Sequence, residues 1–357
     1  MTDQTSTLFI PLEIVRQIVE ASYDSEPARL IGDLRHIKNE SDLSTKPPWK
    51  ALASLSSGSK AYREICLETW FETLRISSPG DVKSGCRLFP MLPKWTTTLH
   101  CMLPKSLQPG ELVDLRVLGK LEVVRLDLPL LQYSDTKLPG SPFEWFHNKI
   151  PSSVVELIID APLPTFGHTH FRPSPPFFDG IKKFKNLKIL RFRSRYTWCD
   201  LCNTSGPLEI RPPYPTRIAF ENGTGLPMQY HNILSCLKQL ETVSLTVQIF
   251  PRDTPHWKAY PLLLVDNAAS NPLLWSGECC DCTIPGSSPA SFVREWVSFK
   301  KREIAEFVGV RGTRYRYKDI PSLKRVEWLF TEHIGDLAEG ESPESSEIES
   351  DIDSDID

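Results

Sequence analysis

Leu187-Lys188-Ile189-Leu190-Arg191-Phe192 holds the pattern on which the fold turns: apolar side chains at the first, fourth and sixth positions, with Asn186 leading in as a turn residue. The same order recurs as Leu121-Val124-Leu126, Val154-Leu157-Ile159, Leu240-Val243-Leu245 and Leu323-Val326-Trp328. Each run is short enough for one strand. The five starts lie 33, 33, 53 and 83 residues apart, which leaves room for long connections between strands that stack side by side. Thr96 to Leu103 is expected to be the first strand of this region. Ser77 to Lys94, rich in Ser, Gly and Pro, reads as a linker or cap in front of it.

Upstream, the periodicity changes. Ile14, Val15, Ile18 and Val19 fall on one face of a helix that begins near Pro11, a residue tolerated in a first turn because its missing donor would be unpaired there. Leu52 and Leu55 mark a second short helix, and Tyr62, Ile65, Cys66 and Trp70 a third, with Ser59 as its N-cap. Three short helices bury little surface by themselves, so a partner is expected.

The N-terminal stretch resembles an F-box. Ile10-Pro11-Leu12-Glu13-Ile14 is similar to the opening of that motif, and Leu55 through Arg63, with Ser59-Lys60 and Trp70 beyond, to its later part. The resemblance implies docking on a Skp-type adaptor and, through it, on a cullin ubiquitin ligase, with Pro11, Leu12, Ile14, Ile18, Leu52, Leu55 and Lys60 as the contact residues. Two departures stand out: an insertion from Ser22 to Pro47, and Ser57-Gly58 in place of an apolar pair. Glycine in a helix costs about 1 kcal/mol relative to alanine, so weakened adaptor binding is expected. The strand pattern is in turn similar to leucine-rich repeats, whose parallel strands stack along a curved solenoid with periods of about 20–29 residues. An F-box followed by irregular repeats looks like the F-box proteins expanded in mushroom-forming fungi, and Leu273 to Cys279 and Leu323 to Trp328 are similar to segments of that group.

The expected architecture is therefore α/β. It has an F-box-like unit over residues 8–76, a linker or cap over 77–95, an irregular leucine-rich-repeat domain over 96–335, and a disordered acidic tail over 336–357. The tail, Glu339 to Asp357, holds nine acids and no base, and removing them from a net charge of -4 leaves +5 on the rest. Ser346, Ser350 and Ser354 each precede an acid by three residues, which suits an acid-directed kinase. No run of apolar residues is long enough for a membrane span, and the N-terminus lacks the basic and apolar regions of a secretion signal. A cytoplasmic or nuclear protein with reduced thiols is expected, and the nine cysteines read as thiols or metal ligands rather than disulfides.

Cys199-x-x-Cys202 and Cys279-Cys280-x-Cys282 are the strongest chemical signal. Four thiolates suit a closed, tetrahedral structural zinc, although the pairs stand far apart in sequence and coincidental thiols are the plain alternative. His168-Thr169-His170 has no acidic companions and reads as a solvated loop. Phosphate-loop, nucleophile-elbow and His-Glu-x-x-His motifs are absent, so nothing supports an enzyme. Arg294 to Arg325 holds ten Lys and Arg against four acids, interleaved with Trp296, Phe299, Tyr315 and Tyr317. That stretch reads first as a solvated face; it also suits the chain's own tail, an acidic partner or, less readily, nucleic acid. The leading expectation is a non-catalytic receptor that presents a protein substrate to the ligase; the alternative is a zinc-clasped, nucleic-acid-binding or scaffold protein.

Overall fold

A computed structural model describes residues 10–25, 49–102, 112–128, 142–147, 150–161, 178–194, 197–199, 205–206, 208–209, 216–221, 223–250, 275, 277–278, 294, 298, 302 and 320–332. Three helices come first: α1 (Leu12–Ser25), α2 (Lys50–Ser56) and α3 (Lys60–Glu72). The carbonyl of Pro11 accepts the amides of Ile14 and Val15 and so starts α1. Ser59 is extended and its hydroxyl accepts the Tyr62 amide at 3.1 Å, an N-cap where the sequence places one. Val15, Val19, Leu52, Ile65 and Cys66 form a small buried core of their own, flanked by Trp49 and Trp70, whose rings meet edge to face at 5.3 Å. Ser57 and Gly58 lie in the turn between α2 and α3 rather than inside a helix. The expected cost of a helical glycine therefore does not arise.

From Thr73 onward the chain builds a mostly parallel sheet. Its strands are β1 (Thr73–Ile76), β2 (Thr98–Met102), β3 (Val123–Asp127), β4 (Glu156–Ala161), β5 (Ile189–Ser194), β8 (Leu208–Glu209), β9 (Arg217–Glu221), β10 (Thr242–Phe250) and β11 (Arg325–Glu332). A separate two-stranded ribbon joins β6 (Thr197–Trp198) to β7 (Ser205–Gly206). The order across the sheet is β1-β2-β3-β4-β5-β10-β11-β9, with β8 beside β10. All these pairings are parallel except β11 with β9.

The register explains why the apolar pattern recurs. Val124, Leu157, Leu190, Val243 and Val326 lie in one row across five strands, and Leu126, Ile159, Phe192, Leu245 and Trp328 in the row two residues on. Every one of them is buried, as are Leu121, Val154, Leu187, Leu240 and Leu323 ahead of the strands. The residue opening each run donates its amide to the carbonyl three residues back, on Leu118, Pro151, Phe184, Leu237 and Ile320 in turn. This tight turn swings the chain into the strand. One carbonyl at the start of each strand then accepts two amides from the next: Glu122 takes Val155 and Glu156, and Lys188 takes Glu241 and Thr242. Backbone bonding thus ties the register of each strand to that of its neighbour.

Two expectations change. The strand over Thr98–Met102 is second in the sheet, because β1 follows α3 without a break. Ser77 to Lys94 is not a bare linker: it contains α4 (Gly80–Leu88) and α5 (Leu92–Trp95) and sends Val82 and Leu92 into the main core. The Asp81 carboxylate accepts the amides of Ser77 and Ser78 at 2.8 Å, and so holds the entry to α4. The three-helix unit is fastened to the sheet at the same place. Thr97 donates its amide to the Glu72 carbonyl at 3.0 Å, the Thr96 hydroxyl donates to Phe71, and the Phe71 ring packs against Phe89 and Trp95.

Candidate functional site

Helix α1 carries two apolar stripes where sequence reading expects one face. Val15 and Val19 point into the small core at 0% exposure, whereas Ile14 and Ile18, about 100° round the helix, stand 44% and 43% exposed; Leu12, in the first turn on the Val15–Val19 side, is 41% exposed, as is Ile10 before it. Such a row of large aliphatic groups in water has a cost, about 25 cal/mol per Å² of apolar surface. Pro11 and Lys60 are also exposed and Leu55 is half-buried. Leu52 is 1% exposed and belongs to the small core. It holds the helices together rather than offering a contact. The Arg16–Glu68 pair at 2.8 Å and the Tyr62 hydroxyl, which donates to the Ile10 carbonyl at 3.4 Å, fix α1 on α3.

A second site lies on the sheet face opposite the core, where residues alternate with the buried apolar rows. His100 Nε2 is 2.5 Å from Asp127 Oδ2, Arg125 Nε donates to Asp127 Oδ1 at 2.7 Å, and Arg125 Nη2 reaches Asp160 Oδ2 at 3.3 Å. Arg193 Nη1 meets the same Asp160 oxygen at 3.0 Å. The result is a ladder of alternating basic and acidic side chains across β2, β3, β4 and β5, each no more than 12% exposed. Burial pushes the Asp127 carboxyl up, but the His100 contact and the Arg125 guanidinium outweigh it and hold the group below the usual carboxylate range. At Asp160 burial wins: even with Arg193 beside it, that carboxyl sits above the usual range. Cys101, on the core side, is held well above an ordinary thiol by burial and by the Asp127 charge, so it is inert. Sequence reading passed over this ladder. Its signal is the charged residue on either side of a buried one, as in Arg125-Leu126-Asp127 and Arg191-Phe192-Arg193.

Toward the other edge the same face stays charged. Arg191 donates to Glu156 at 2.5 Å, and Glu327 is shared by Arg217 and by Arg325, the latter at 2.6 Å. Among the cysteines expected to bind zinc, Cys199 is buried just after β6, and its carbonyl accepts from Gln229 Nε2 at 2.9 Å. Cys202, Cys279 and Cys282 lie outside the described residues, as do His168, His170, most of Arg294–Arg325 and the acidic tail. The described residues contain no group of three or more His, Cys, Asp or Glu placed to hold a metal, and no helix long and apolar enough to cross a membrane. No family model, curated protein or solved structure matches this chain.

Proposed function

We propose that the chain is a non-catalytic substrate receptor, with α1 docking on a Skp-type adaptor of a cullin ubiquitin ligase and the sheet presenting a protein substrate. One observation carries the reading: Ile10, Leu12, Ile14 and Ile18 are exposed large aliphatic side chains with no place in the helices' own core, which Val15 and Val19 already fill. A few buried aliphatic anchors supply most of the affinity at such a contact. In this reading the sheet is an irregular leucine-rich-repeat array. Five copies of one apolar pattern in register, each entered through the same turn, support it. Ile14→Asp with Ile18→Asp alters exposed positions only. The double variant is expected to fold normally and to lose co-purification with the adaptor; a folded double variant that retains the adaptor in full overturns the proposal.

A structural zinc held by Cys199, Cys202, Cys279 and Cys282 is a second element of the proposal, favoured by one contact. The Thr197 hydroxyl donates to the Gly277 carbonyl at 3.1 Å across 80 residues of sequence. It ties the stretch that leads to Cys199 to the one that leads to Cys279. β5 and β10, from which the two stretches issue, are parallel neighbours. Four protein thiolates leave no open position, so the metal would be structural. Purified chain is expected to hold about one zinc, which Cys199→Ser with Cys282→Ser releases. Metal-free, folded wild-type protein contradicts it.

A further inference from the structure

Strand β9 ends the sheet. It pairs with β11 on one side, and no described strand lies on the other. The antiparallel register decides which of its backbone groups are spent. Thr216, one residue ahead of β9, accepts the Phe330 amide at 3.0 Å, while Trp328 lies opposite Ile218 and Val326 opposite Phe220. Hydrogen-bonded pairs alternate along an antiparallel ladder, so Ile218 and Phe220 turn their amides and carbonyls toward β11, and Arg217, Ala219 and Glu221 turn theirs outward. Among the described residues, the outward groups find one partner: the Glu221 carbonyl accepts the amide and the hydroxyl of Thr224. Arg217 and Glu221 are exposed, so the edge is open to water. An open edge of this kind is a template for another strand.

The residues on that edge say which strand fits. Arg217-Ile218-Ala219-Phe220-Glu221 is complementary to itself when turned end for end. In an antiparallel pair centred on Ala219, the Arg217 of each copy lies opposite the Glu221 of the other. Glu221 is available for this: Arg325, across from it on β11, pairs with Glu327 instead. Arg217 shares that Glu327 and keeps 49% of its side chain exposed. Ala219 is small enough to let two backbones close to the ~4.8 Å between neighbouring strands. We propose that two copies of the chain join through β9 about a twofold axis, so that one sheet runs through both. The two Ala219 then exchange amide-to-carbonyl bonds, and each Arg217 carbonyl accepts the Glu221 amide of the other copy. Ile218 and Phe220 are already 5% and 0% exposed, so pairing buries little apolar surface and the dimer is weak and transient. The helical unit lies at the other edge of the sheet, where α3 runs into β1, and α1 stays free. The pairing therefore stands or falls separately from the adaptor contact.

The test is sedimentation equilibrium of the full chain over a range of concentrations. The wild type should pass from one chain to two with a midpoint on the order of 100 µM. Ala219→Pro removes the central outward amide and leaves the bonds to β11 in place, a change that an edge strand tolerates. It should abolish the dimer while the melting temperature stays near that of the wild type. Arg217→Glu alone and Glu221→Arg alone each set like charges opposite one another and should weaken the dimer about tenfold. An equal mixture of those two single variants sets opposite charges together at both ends and should pair as tightly as the wild type. Wild-type protein that stays a single chain up to about 1 mM overturns the proposal, and that arm needs no variant. A dimer indifferent to Ala219→Pro also overturns it, as does a mixture no tighter than its two components. A dimer lost with Ile14→Asp and Ile18→Asp places the contact on α1 and overturns it too.

Discussion

Asp127 takes a guanidinium nitrogen of Arg125 and the imidazole of His100 in a setting that leaves its side chain only 12% exposed. Buried ion pairs add little net stability, because desolvation offsets the attraction, but removing one member strands the others. Asp127→Asn is expected to cost about 3 kcal/mol at pH 7. The sign of its pH dependence follows from the lowered carboxyl. A group whose folded pKa lies below its unfolded value stabilises above the unfolded value, about 3.9, and loses that contribution as pH falls through the folded one. Urea melts of wild type and variant should therefore differ most near neutrality and converge in acid below pH ~4. A gap that is constant with pH would show that the carboxylate's charge is not what matters. Asp160 runs the other way, since burial raises it, so protonating Asp160 does not destabilise the fold.

Element by element, the parts legible in the sequence are those whose own residues set their geometry. The five apolar runs name their strands because each must bury the same three positions, and Ser59 announces α3 because a hydroxyl there caps it. The segment from Ser77 to Lys94 hid two helices, since Ser, Gly and Pro look like a linker until Asp81 is seen to cap Ser77 and Ser78. β1 was hidden for another reason: Thr73 to Ile76 continues α3 directly and has only four residues. The packing of Trp275 and Gly277 on β11 was equally invisible. There Gly277 adopts φ +95°, and a Cβ would stand 2.6 Å from the Trp328 ring. Gly277→Ala should cost roughly 3 kcal/mol, from a disfavoured backbone region and overpacking together. Gly119→Ala, where a Cβ meets nothing within 4 Å, should stay within about 0.5 kcal/mol. Equal melting curves for the two would contradict the close packing at Trp328.

At the scale of the whole molecule, a small helical unit with its own core is welded to a sheet with another. The weld is the α3–β1 junction, where the Glu72 and Phe71 carbonyls accept bonds from Thr97 and Thr96. The exposed aliphatic side of α1 was half legible. The i, i+4 spacing of Ile14 and Ile18 shows in the sequence, but only the packing of Val15 and Val19 tells which stripe faces outward and removes Leu52 from the contact. The charged ladder was not legible, because pairing across β2 to β5 depends on a register that long connections conceal. The central claim is that this outward stripe binds a Skp-type adaptor. Calorimetric titration of purified adaptor into the full chain tests it most directly. The account predicts saturable one-to-one binding with a negative heat-capacity change from apolar burial, weakened at least about a hundredfold by Ile14→Asp with Ile18→Asp. Absence of binding by the folded wild-type chain, or equal affinity of the double variant, would contradict it.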